Sequence, residues 1–100
     1  MQPHNQTTLA GKVISEIRSI TNGKGETIKK TFTLELASEG TGRPEQFYVE
    51  CCASDLLDLL QYTQKGDGVM VGGKLINRAG GDAGIRASVV FILSIETSNL

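Results

Sequence analysis

Residues 54–63 interrupt an otherwise steady two-residue rhythm, and that one interruption constrains the fold more than any other feature. There Leu56, Leu59, Leu60 and Thr63 recur at helical spacing, and Leu57 widens the apolar stripe. Ser54 is placed to cap the helix, Asp55 and Asp58 favour its first turn, and the glycines of 65–68 stop it. Elsewhere apolar residues alternate. Residues 8–19 carry Leu9, Gly11, Val13 and Ile17 on one parity, and Gly11 marks a bend or a close backbone approach. Residues 27–37 place Ile28, Phe32, Leu34 and Leu36 together, and residues 46–53 do the same with Phe47, Val49 and Cys51. After the helix, 69–77 alternate through Val69, Val71, Gly73 and Leu75. Residues 85–96 alternate through Ile85, Ala87, Val89, Phe91, Leu93 and Ile95, which makes Phe91 a core residue by parity. Turn chemistry separates these segments: Asn22-Gly23 and Gly25 in 21–26, the loop 38–45, and the glycine-rich 78–84.

Short strands with glycine turns build sandwiches or barrels. Five strands with one short helix between the third and fourth is the order of the all-β OB-fold barrel, in which the helix plugs one end. In that fold oligonucleotides lie on strands two and three and under the loops joining strands one to two and four to five, here 21–26 and 78–84. The expected organisation is a tail at 1–7, one OB-fold domain at 8–96 and a tail at 97–100.

The 100 residues carry a net charge of −1, so any polyanion site requires cations gathered onto one face. Cys51 and Cys52 are adjacent; neighbours on a strand point to opposite faces, and no spacing suggests a metal site. They read as reduced thiols of a cytoplasmic protein. No apolar run approaches a membrane span and no secretory leader is evident. No nucleophile–base pair is evident, and Lys65-Gly66-Asp67-Gly68 lies between helix and strand, the wrong context for a phosphate loop. The expectation is a binding protein without catalytic activity, cofactor or metal.

Four segments carry a family likeness: residues 9–13 (LAGKV), 32–36 (FTLEL), 47–52 (FYVECC) and, most strongly, 64–75 (QKGDGVMVGGKL). Over about residues 8–96 the sequence resembles the bacterial and phage single-stranded-DNA-binding proteins and their smaller relative, primosomal replication protein B. The resemblance implies largely sequence-independent binding of single-stranded DNA in replication, recombination or repair. It also implies a homodimer or homotetramer, with replication proteins as further partners. The chain departs from the family in lacking tryptophan. Gln46, Phe47 and Cys52 stand near positions where family members stack bases, and each stacked base is worth roughly 1–3 kcal/mol. The other reading is a primosome-type accessory module acting through protein contacts.

The candidate nucleic-acid residues are Lys12 and Arg18 on strand one, Lys24 in the first loop, Lys29 and Thr31 on strand two, and Tyr48 on strand three. Lys74, Arg78 and Arg86 border the second loop, and Arg43 in the 38–45 loop is a weaker candidate. The bland reading is a solvated sheet face whose cations balance Glu16, Glu35 and Glu50 across strands. Tyr62 reads as helix packing with a wet hydroxyl, and His4 as an idle tail residue. On the outward parity of strands four and five, Met70, Ile76, Val90 and Ile92 form a second apolar set, expected to be a subunit interface.

Overall fold

The alternation becomes six strands and one helix in the computed structural model, which describes residues 6–36, 45–77 and 83–94. The strands are β1 (Thr7–Val13), β2 (Arg18–Thr21), β3 (Thr27–Leu36), β4 (Gln46–Cys51), β5 (Gly68–Asn77) and β6 (Ala83–Ser94), with α1 (Ser54–Leu60) between β4 and β5. The sheet order β1-β5-β6-β4-β3-β2 is closed by an additional β1–β3 pairing. All neighbours are antiparallel except β4 and β6, which run parallel. This is a closed five-stranded OB barrel, because β1 and β2 are two halves of the expected first strand.

That strand breaks for a local reason. Between Val13↔Leu34 and Arg18↔Thr31, five steps on one chain face three on the other, so residues are looped out at 14–17. Ser15 repairs the ladder there: its Oγ accepts a 2.8 Å hydrogen bond from the Thr33 N–H. Closure occurs at Gly11, which pairs with both Val69 on β5 and Leu36 on β3. A Cβ at Gly11 would run into the Glu35 carbonyl oxygen. The close approach expected of this glycine is therefore what lets β1 touch two strands at once.

The core comprises Val13, Phe32, Leu34, Val49, Cys51, Val69, Val71, Ile85, Ala87 and Val90, with Leu56 and Leu60 contributed by α1. Burial pushes the Cys51 thiol up to about 12, with Cys52 and Glu50 adding to the shift. Ala53, not Ser54, is the helix N-cap, and no side chain caps it. In the β2–β3 turn Gly25 takes the positive φ of 81°. Asn22 Oδ1 accepts from the Lys24 and Glu26 N–H groups at 2.8 and 3.1 Å. The 65–68 turn is tied to the end of β1: the Gly66 N–H donates to the Val13 carbonyl at 2.8 Å, and the Val13 N–H to the Asp67 carbonyl at 2.9 Å.

The last strand corrects the parity reading. Gly72 pairs with Val89 but Gly73 pairs with Ala87, so Ser88 is an extra residue on β6. The added residue exchanges the two faces from Val89 to Ile92, and a second register shift beyond Ile92 leaves Leu93 without a partner position on β5. Ile85 and Ala87 face the core as expected, but Val90 is then buried and Ile92 packs on the core. Val89, Phe91 and Leu93 turn outward, and Phe91 is 54% exposed. Val90 and Ile92 therefore do not belong to an outward apolar set. Ile28 and Leu75, expected inward, are exposed, and Tyr62 is 79% exposed rather than packed.

Candidate nucleic-acid interface

Pairing register places the outward side chains of the barrel wall in rows. One row runs Arg18 (β2), Thr31 (β3), Glu50 (β4), Arg86 (β6) and Lys74 (β5), each the register partner of the next. The row beside it runs Thr33, Tyr48, Gly84 and Ile76. A third holds Lys12, Glu35 and Gln46. Because β4 and β6 pair in parallel, residues far apart in sequence arrive side by side here.

Glu50 is the centre of the first row. Its side chain is 8% exposed, yet its carboxylate is held on both sides: Arg86 Nε donates to Oε1 at 2.7 Å, and Lys29 Nζ lies 3.5 Å from Oε2. Burial works to raise its pKa, but the Arg86 hydrogen bond and the charges of Lys29 and Arg86 outweigh this and hold it below the ordinary carboxylate value. The same hydrogen bond raises Arg86 in turn. The Lys29 and Arg86 side chains remain 31% and 61% exposed, so each can also reach solvent or a ligand.

In the second row Gly84 makes room for an aromatic ring. A Cβ there would lie 3.3 Å from Tyr48 Cδ1 and 3.2 Å from Ile76 Cγ1. Tyr48 and Ile76 therefore both border the space above the bare glycine backbone, half-buried beside the cationic row. A cleft of about 220 Å³, lined by Ser15, Glu16, Arg18, Thr31, Thr33 and Tyr48 among others, joins this platform to the looped segment at 14–17.

The expected site residues divide accordingly. Arg18, Lys29, Lys74, Arg86 and Tyr48 share this face. Thr31 lies within it but is only 5% exposed, which leaves its hydroxyl little surface to offer. Lys12 is two rows away opposite Glu35, where it lines, with Lys65, a separate cavity of about 410 Å³. Lys24 is exposed on the β2–β3 turn. Arg78 and Arg43 lie outside the described residues. Ile76, assigned by parity to a subunit interface, stands half-buried in the outward row that holds Tyr48 and Gly84. The sequence reading has Glu50 balancing cations across strands; what it misses is the pairing with Arg86, which comes from a strand whose adjacency no periodicity reveals.

On the remaining outer wall Ala10, Met70 and Phe91 form a register row, flanked by Thr8, Gly72 and Val89. Among the described residues no group of three or more His, Cys, Asp or Glu side chains could hold a metal ion, and no helix is long and apolar enough to cross a membrane.

Neither a protein-family model nor a curated protein sequence matches the chain. Solved structures do. The mitochondrial single-stranded-DNA-binding protein of S. cerevisiae superposes with a TM-score of 0.81 at 14% identity, over 96% of this chain and 100% of that one. A Plasmodium falciparum single-stranded-DNA-binding protein in complex with single-stranded DNA gives 0.77 at 18% identity, over 94% and 98%. The dimeric N-terminal domain of PriB from Thermoanaerobacter tencongensis gives 0.69 at 18% identity, over 91% and 98%. In barrel closure, helix position and strand order, the chain has the OB fold in the form seen in single-stranded-DNA-binding proteins.

Proposed function

We propose that this chain binds single-stranded DNA without catalysis and largely irrespective of sequence, on the wall formed by β2, β3, β4, β6 and β5. The observation that carries this reading is the convergence of Arg18, Lys29, Lys74 and Arg86 on one face beside the Tyr48–Ile76 platform. Cations along a groove track a phosphate backbone, while an aromatic face accepts any base, because every base presents a π-surface. Lys24 on the β2–β3 turn extends the track, and Lys12 contributes at its margin. The setting is cytoplasmic DNA replication, recombination or repair.

Self-association accompanies binding in this reading. The patch is Met70 with Val89, Phe91 and Leu93, which the β6 bulge turns outward, and its occupant is a second copy of the chain. Two weak sites on one DNA strand then gain avidity without new contacts. A second reading is favoured by the half-neutralised cationic row and the single aromatic platform: a primosome-type accessory whose main contacts are with replication proteins.

Fluorescence anisotropy with oligo-dT at two salt concentrations, on a sample of known oligomeric state, separates the two. Single-strand binding predicts an affinity that falls steeply with salt through counterion release. Absence of binding at low salt refutes it.

A further inference from the structure

Beside Glu16, which lines the cleft with Arg18, the proposed face carries a further carboxylate, Glu50, paired with two of its cations. It is nearly enclosed, it accepts a 2.7 Å charge-assisted hydrogen bond from Arg86, and it lies 3.5 Å from the Lys29 ammonium. Arginine pairs with carboxylate and phosphate oxygens by the same donor geometry, so the two compete for it. Arg86 spends Nε on Glu50 while most of its side chain stays exposed, and its register partners are Glu50 on one side and Lys74 on the other. A phosphate reaching this row thus meets two cations already half-satisfied by a fixed anion.

The geometry points to Glu50 as an internal competitor for phosphate: it holds Arg86 and Lys29 in place and lowers the affinity of the face for a DNA strand. This rests on the reading of the wall as a single-strand-binding face. Its consequence is a binder set to release easily. Three charges, two positive and one negative, stand where an uncompensated site would present two full cations. A nearly enclosed carboxylate bonded at 2.7 Å cannot simply swing away when a strand arrives, so the competition is a standing one.

The test is Glu50→Gln, which keeps size and one acceptor oxygen but removes the charge, measured with oligo-dT by anisotropy across a salt series. Each additional phosphate contact to a single strand adds about 0.7 to the slope of log affinity against log salt. If such contacts contribute nothing at 1 M salt, E50Q binds about eightfold tighter than the parent at about 50 mM and about threefold tighter at about 200 mM. Glu50→Asp keeps the charge and serves as the control, remaining at or below parental affinity. Thermal melts by circular dichroism establish that each variant is folded. If E50Q is not, Glu50→Met, of the same length and uncharged, takes its place with the same expected gain. Parental binding with E50Q equal or weaker overturns the competitor role while leaving DNA binding intact. Equal tightening by E50D and E50Q assigns the effect to altered packing and also overturns it. Failure of every protein, parent included, to bind at low salt overturns both this inference and the reading on which it rests.

Discussion

Exchange of faces in β6 makes a sharp prediction, because simple alternation and the bulged strand assign opposite costs to two adjacent residues. Val90 is 6% exposed within the core, and Phe91 is 54% exposed on the outer wall. Val90→Ala removes two methylene equivalents from water-excluded space and leaves a small cavity, a loss of about 2 kcal/mol. Phe91→Ala deletes a larger side chain, but more than half of it already contacts water, so it costs about 1 kcal/mol or less in the monomer. Unbulged alternation reverses this order: a core phenylalanine truncated to alanine costs about 3–5 kcal/mol. Urea unfolding followed by far-UV circular dichroism measures both variants against the parent, and equal slopes license the comparison. In a domain of this size a 2 kcal/mol loss lowers the thermal midpoint by roughly 8–16 °C, well outside experimental scatter. Measurement at several protein concentrations separates any contribution of Phe91 to self-association, since only that part varies with concentration. If F91A proves the more damaging at every concentration, Ser88 is not an inserted residue and the register of β5 on β6 is wrong.

Three further outcomes follow from particular groups. Glu50 has a folded-state pKa below its ordinary value of 4.5, so the unfolded chain binds that proton more readily; its stabilisation is complete above 4.5 and is lost as pH falls through the folded value. The stability advantage of the parent over E50Q should therefore shrink as pH falls below 4.5, as read by urea midpoints; a constant difference refutes the ion pair. Cys52 is exposed while Cys51 is buried with its thiol pushed up to about 12, so mass spectrometry after native alkylation should show one adduct, at Cys52, and two only in denaturant. Tyr48→Ala should weaken oligo-dT binding by about 1–3 kcal/mol with little change in salt slope, whereas Arg18→Gln should lower the slope by about 0.7. The reverse assignment would show that Tyr48 does not stack on a base.

Much of the architecture was legible because it depends on local periodicity. The helix between the third and fourth strands announced itself through Leu56, Leu59 and Leu60, and two of these three are buried. Gly11 stood where a side chain was due, and the backbone does pass too close there for a Cβ. The site was legible only in part. Parity correctly turned Arg18, Lys29, Lys74 and Tyr48 outward, but parity says nothing about which strand lies beside which.

What the amino-acid order determined alone is the set of elements and, before Ser88, the face of the alternating core residues other than Ile28 and Leu75, because a strand's period of two residues and a helix's of about 3.6 are properties of a few neighbouring residues. Tertiary structure decided the rest. An inserted residue in β6 exists only relative to the partner strand that fails to match it, so no scan of residues 85–96 reveals that Val90 replaces Phe91 in the core. The Glu50–Arg86 pair and the seat of Tyr48 on Gly84 arise from the parallel contact of β4 with β6, which only closure of the barrel brings about.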